Sequence, residues 1–306
     1  MSLTRDVAVI AYAEFETPVE AERNEVEMLM PVIHEVLGKV GLEQSDIGFT
    51  VSGSSDYLQG QPFAFVGALD AVGAWPPIRE SHLEMDGAFA LYEAVMVLQH
   101  EGIDTALVYA FSRASRGDLD RVLALQLDPY LVAPLWPDAR SIAGLQAQAM
   151  RDSGRYADVP DVPATVVVDG ACAVVLAVGD RARELSDRPA WITGLDHRIE
   201  PPALGVRDLT RSDSTRLAAA AAGVGTVDAA WLHTPYPHQE LILRSELGLN
   251  GQRVEAAAGP MMVGGLASIG RAATAVTAGE VGRAVAHATS GPCLQQNLVA
   301  VLDGAA

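Results

Sequence analysis

Between Gly87 and Leu98 the apolar side chains Ala88, Leu91, Val95 and Leu98 recur at the spacing that puts them on one face of a helix. Glu101-Gly102 closes that run, and the apolar stretch 105–111 then predicts a buried strand. The same alternation precedes it. Residues 6–12 predict a strand, 19–40 an amphipathic helix ended by Gly41, 47–52 a strand closed by Gly53, 63–72 a helix, and 76–79 a short extended piece. Strand and helix in strict turn are the pattern of a mostly parallel sheet covered on both faces.

From 115 to 163 the rhythm is lost. Helices are predicted at 119–127 and 142–151, separated by Pro129, Pro134 and Pro137, as an insertion carried by the sheet. Two apolar runs, 164–168 and 172–178, then flank Asp169-Gly170-Ala171 and predict a hairpin with a tight turn of Asp-Gly type. The plan restarts with a strand at 190–195, an alanine-rich helix at 211–223, a strand at 229–233 and a helix at 238–247. A long helix of small residues at 266–286 and a final strand at 298–302 complete it. The matching order of elements divides the chain into halves at 1–187 and 188–306.

Charge narrows the partners. The 306 residues carry a formal net charge of −18, which repels nucleic acid and anionic membrane surfaces. No apolar run reaches membrane-spanning length. The two cysteines, Cys172 and Cys293, are too few for a disulfide framework and lie among apolar or small residues, which predicts a reduced, cytoplasmic setting. No metal-ligand spacing and no glycine-rich nucleotide motif occurs.

Three segments resemble the thiolase superfamily, in particular its sterol-carrier-type or lipid-transfer-protein branch, which includes acetyl-CoA acetyltransferase homologues. Asp169-Gly170-Ala171-Cys172-Ala173-Val174-Val175-Leu176, with Arg181 and Arg183 behind it, is similar to the segment that closes the first half of those proteins. WLHTPYPHQELILRSELGL, from Trp231, is similar to their His-Asp-Cys-Phe segment. Gly264-Gly265-Leu266-Ala267-Ser268-Ile269-Gly270-Arg271-Ala272 is similar in register to their Gly-His-Pro segment. The resemblance implies an α/β, thiolase-like fold: two similar βα halves in a five-layer αβαβα sandwich with a shortened loop insertion. It also implies a dimer built along a strand of the first half, as a homodimer or as a heterodimer with a thiolase-family homologue.

The chemical positions depart from the pattern. The acyl-accepting Cys of the family falls at Glu84, in Glu84-Met85-Asp86-Gly87. A carboxylate there can take a proton but cannot form the thioester intermediate; equally, Glu84 and Asp86 are the acids that a helix's first turn favours. The Gly-His-Pro histidine falls at Arg271, placed at a helix start, where a guanidinium can hold an oxyanion. His233 takes the place of the family's His after a strand, with Tyr236 at the aromatic position and His238 close by. Cys293 falls near the late Cys, where a buried structural thiol is the alternative.

The resemblance implies two functions. One is a subunit of acyl-CoA or sterol and lipid metabolism that lacks the nucleophilic Cys and is non-catalytic or altered in activity. The other is an acyl-CoA carbon-carbon lyase of retro-aldol type, or an acyltransferase, using His233, Tyr236 and Glu84. No cofactor is expected; a coenzyme A thioester enters only as substrate. The enzyme reading requires Glu84, His233, Arg271 and Cys293 to converge on one pocket.

Overall fold

The computed structural model describes residues 4–17, 22–73, 79–164 and 167–304. The first half runs β1 (Val7–Thr17), α1 (Glu25–Gly38), β2 (Phe49–Gly53), α2 (Asp56–Gln59), α3 (Ala64–Val72), β3 (Glu80–Leu83), α4 (Gly87–Val97) and β4 (Thr105–Ser112). The insertion helices α5 (Leu119–Leu125) and α6 (Ala139–Ser153) come next, then β5 (Asp169–Val178) and α7 (Gly179–Leu185). The rest is β6 (Ala190–Ile199), α8 (Asp213–Ala222), β7 (Ala229–His233), α9 (Gln239–Glu246), β8 (Arg253–Ala257), α10 (Gly264–Thr277), β9 (Arg283–Ser290) and β10 (Gln296–Asp303).

Ten strands hydrogen-bond in the order β3-β2-β4-β5-β1-β6-β10-β9-β7-β8. In the first half β2 is parallel to β3 and β4, β4 is antiparallel to β5, and β5 is antiparallel to β1. In the second, β7 is parallel to β8 and β9, β9 is antiparallel to β10, and β10 is antiparallel to β6. The two patterns match strand for strand. Within the sheet they join where Ala8 and Val9 pair with Trp191 and Ala190.

Side-chain alternation sorts the core into layers. On β5, Cys172, Val174 and Leu176 face a central layer, whereas Ala171, Ala173 and Val175 face outward under α1. Burial on both faces is why that strand is an unbroken apolar run. The central layer holds α4 and α10 against the inner faces of both halves. Helices α1 and α3 cover the outer face of the first half, and α8 and α9 that of the second. Helix, sheet, helices, sheet, helix is the five-layer order the resemblance implied. Among the described residues no helix is long and apolar enough to cross a membrane.

Several predicted elements are corrected. Asp169-Gly170 makes no hairpin: Asp169 and Gly170 are the first residues of β5, paired with Thr17 and Glu16 of β1. The Asp169 side chain accepts the Ser115 backbone N–H and hydroxyl, so its turn-forming oxygens are already committed. The long helix predicted at 266–286 ends at Thr277, where Gly279 in a left-handed conformation (φ 76°) turns the chain. The chain then enters β9, whose alanines Ala284, Ala286 and Ala288 face the central layer. Alanine suits a helix by propensity, but here its small size lets the strand lie close to α10.

The strands β3 and β8 are the two sheet edges and carry exposed polar residues, so no hydrophobic alternation announced them. Helix α1 begins after the predicted start because Asn24 caps it. Asn24 Oδ1 accepts from Glu27 N at 2.8 Å, and Glu27 Oε2 accepts from Asn24 N at 2.9 Å. Residues 18–21, the extended piece at 76–78, and 165–166 of the first hairpin run lie outside the described residues.

Candidate functional site

Helices α4 and α10 start side by side in the central layer, and a side chain absent from the candidate set joins them. Asp86, 2% exposed, is the N-cap of α4. Its Oδ1 accepts from Ala88 N at 2.8 Å and from Leu266 N at 3.1 Å, and its Oδ2 accepts from Gly265 N at 2.9 Å. The Gly87 N–H in turn donates to the Met262 carbonyl at 2.9 Å. Unpaired N–H groups and the positive dipole end make a helix start a place for an anion. At this pair of helix starts the anion is supplied by the chain itself.

Glycines permit the approach. A Cβ on Gly265 would stand 2.4 Å from Asp86 Oδ1, and one on Gly87 would stand 2.6 Å from Ala110 Cβ and 2.9 Å from Leu266 Cδ2. Either would push the two helices apart.

His233, at the end of β7, is 6% exposed and lies against the same helix starts. Its Nδ1 accepts from Thr289 N at 3.4 Å. That leaves the proton on Nε2, directed at the Ala258 backbone. A Cβ on Gly264 would lie 2.8 Å from Nε2 and 2.2 Å from the Ala258 oxygen, so the ring is closely covered. Burial lowers the His233 pKa, opposed by the Asp86 carboxylate and the two backbone bonds. The imidazole is neutral, with both nitrogens engaged by backbone.

The other candidates lie elsewhere. Glu84 turns away from α4: its carboxylate accepts the Asp56 N–H, the first of α2, at 2.8 and 3.0 Å. Burial raises its pKa, and the Asp56 N–H partly offsets that rise. Arg271 is well inside α10 rather than at a helix start. It forks onto Glu14 of β1, with Nε to Oε1 at 3.0 Å and Nη2 to Oε2 at 2.5 Å, and reaches Glu16 at 3.5 Å. The sequence register had assumed that the helix begins after the glycine pair, whereas α10 begins on it.

His238 leans on the insertion, with Tyr236 beside it. Their rings stack with centroids 6.1 Å apart, and His238 Nε2 lies 3.1 Å from Gln146 Oε1 on α6. Burial, with Arg151 adding to it, brings the His238 pKa down to about 4. Cys293 packs with Leu127, Val132 and Ile142, and its thiol faces the Ile142 carbonyl at 3.7 Å. Burial pushes that thiol up to about 12.

Cys172, read from the sequence as core, is fully buried and near α10. Its thiol meets the Val263 carbonyl at 3.8 Å, and burial followed by the Asp86 charge raises its pKa far above the thiol range. Among the described residues its recorded hydrogen bond is to that carbonyl and not to an imidazole. Of the candidates, His233 alone stands at the helix mouth. Among the described residues no group of three or more His, Cys, Asp and Glu side chains is placed to hold a metal.

Asp86 was visible in the sequence only as a helix-cap acid; its second role depends on α10, far away along the chain. A buried polar chain behind His233 was not visible at all. His287 Nε2 pairs with Asn297 Oδ1 at 2.9 Å, Asn297 Nδ2 donates to Ser214 Oγ at 2.7 Å, and Ser214 Oγ donates to Glu200 Oε1 at 2.7 Å. It fastens the loop after β6 to the ends of β9 and β10.

No protein-family profile and no curated protein matches the chain. Solved structures do. Human mitochondrial 3-ketoacyl-CoA thiolase superposes with a TM-score of 0.75 at 15% identity, covering 100% of both chains. The same enzyme in complex with CoA gives 0.74 at 13% identity, with the same coverage. An Ltp2-ChsH2(DUF35) aldolase gives 0.74 at 16% identity, covering 98% of each chain. The chain has the thiolase fold.

Proposed function

We propose that this chain is a thiolase-fold subunit of acyl-CoA or sterol and lipid metabolism that does not carry out thiolysis itself and works beside a partner that completes the chemistry. The observation that carries this reading is the Asp86 bridge, an internal carboxylate accepting N–H groups from the starts of both α4 and α10. Thiolysis requires a thiolate to take the acyl group and an imidazole to activate it. Here both thiols are buried and raised, and His233 is spent on backbone.

A partner is supported by the likeness to the Ltp2-ChsH2(DUF35) aldolase, whose name joins two proteins. The second copy or thiolase-fold homologue of a dimer would add at β3, the short edge strand of the first half, by extending the sheet. On this reading the halves are 1–187 and 188–306, and a coenzyme A thioester is a substrate of the assembly rather than a cofactor.

The lyase reading is favoured by the aldolase named in that same likeness. It needs His233, Tyr236 and Glu84 to act at one point, whereas in this chain His233 is held by the Thr289 N–H and Glu84 by the first N–H of α2. Purification with proteins encoded beside this chain, followed by thiolysis and retro-aldol assays on short and steroid-like acyl-CoA substrates, tests both. The subunit reading expects neither activity from the chain alone. Retro-aldol cleavage by the chain alone establishes the lyase, and thiolysis at ordinary thiolase rates overturns both.

A further inference from the structure

The outer face of the first half is apolar across β4 and β5, where Leu107, Phe111, Ala173 and Val175 pack under the covering helices. Toward the β3 edge it becomes polar. Register sets Ser52 of β2 between His82 of β3 and Tyr109 of β4, and sets Thr50 beside Glu80. These side chains, with Ser81, floor a cavity of about 250 Å³ roofed by Phe65 and Leu69 of α3. That volume suits a molecule smaller than the ligands of ordinary drug-sized pockets.

Most of the row's hydrogen-bonding capacity is satisfied internally. His82 Nδ1 and Ser52 Oγ are 2.9 Å apart, and Tyr109 is hydrogen-bonded to the same Ser52. Phe65 fixes the imidazole by stacking, with centroids 4.5 Å apart and planes 16° from parallel. His82 Nε2 is left buried with no hydrogen-bond partner among the described residues. An unmet buried polar atom is costly, so a ring held this firmly around one points to a ligand.

Charge gives that ligand its sign. Glu80 is exposed at the rim and makes no ion pair among the described residues, no Lys or Arg lines the cavity, and the Asp56 carboxylate also acts on His82. We propose that this cavity binds a small organic cation, a primary amine or guanidinium on a short apolar stem. The cationic head meets Glu80 and His82 Nε2, and the apolar stem lies along Phe65 and Leu69. The site is separate from the α4–α10 helix mouth, and it shares strand β3 with the edge at which the subunit reading adds a partner.

The full chain, labelled on its histidine rings, is titrated with n-butylamine and with agmatine, and with 1-butanol and butyrate as neutral and anionic comparators. The expected result is saturable binding of both cations with shifts at the His82 ring and little response to the comparators. Glu80→Gln is expected to weaken binding about tenfold or more, and His82→Gln comparably. Glu80 is exposed, so its variant keeps the fold, which cooperative unfolding checks. Absence of saturable cation binding, equal binding of 1-butanol, or unchanged affinity in Glu80→Gln overturns the proposal.

Discussion

Asp86 at the start of α4 accepts the backbone N–H of Gly265 at the start of α10, with oxygen and nitrogen 2.9 Å apart across the central layer. The same carboxylate also accepts from Ala88 and Leu266, so one side chain ends two helices that belong to different halves of the fold. Asp86→Ala leaves these donors unpaired and is expected to cost roughly 3 kcal/mol, the order of more than one orphaned buried N–H. Asp86→Asn keeps an acceptor oxygen and is expected to lose less. Urea unfolding midpoints at constant slope measure both.

Gly265→Ala tests the same contact from the other side. Its Cβ would lie 2.4 Å from Asp86 Oδ1 and 2.6 Å from Ala288 Cβ. Neither neighbour is the free end of a flexible chain, so overpacking of about 1–3 kcal/mol is expected. Gly144→Ala, which meets nothing within 4 Å, is the control and is expected to be neutral or stabilising.

Glu84→Cys restores sulfur to the family's nucleophile position but is not expected to restore thiolysis. Glu84 serves the first N–H of α2, and His233 has neither nitrogen free to activate a thiol. The expected effect is loss of a helix-end contact, about 1 kcal/mol, with no gain in acyl transfer. A coenzyme A-dependent thiolysis assay on the variant reads this directly.

Cys172 and Cys293 are both buried and both have raised pKa values. A thiol reagent at pH 8 is expected to find neither in the native chain and both in denaturant. Rapid native labelling of Cys172 would place a reactive thiol near α10 and overturn the description of that region.

Acid stability rests on the buried histidines. His238 and His287 are each lowered to about 4 from 6.5, chiefly by burial. A depressed folded pKa means that the neutral ring is favoured by the fold. Stability is therefore full above the unfolded value near 6.5 and falls as pH drops from there through about 4. Each ring contributes a slope approaching 1.4 kcal/mol per pH unit inside that window. Denaturant midpoints between pH 7 and pH 4 are expected to fall, and His238→Gln to fall less steeply.

The amino-acid sequence determined the order of most elements in each half, because burial of β5 on both faces and of α4 on most sides leaves apolar runs that need no distant partner to be recognised. It also determined that sulfur is missing from position 84. It did not determine the edge strands β3 and β8, whose stabilisation comes from backbone pairing rather than from apolar side chains, nor the change from helix to strand after Thr277. The helix-mouth arrangement was legible only in part. His233 was found from its place after a strand, but Asp86 acquires its role through N–H groups of Gly265 and Leu266, and backbone donors leave no mark in the letters of a chain. Tertiary packing alone decided that Glu84 turns to α2, Arg271 to Glu14 and Cys293 to Ile142, because each side chain settles on the nearest partner that satisfies its charge or excludes water, and those partners lie far from it along the sequence.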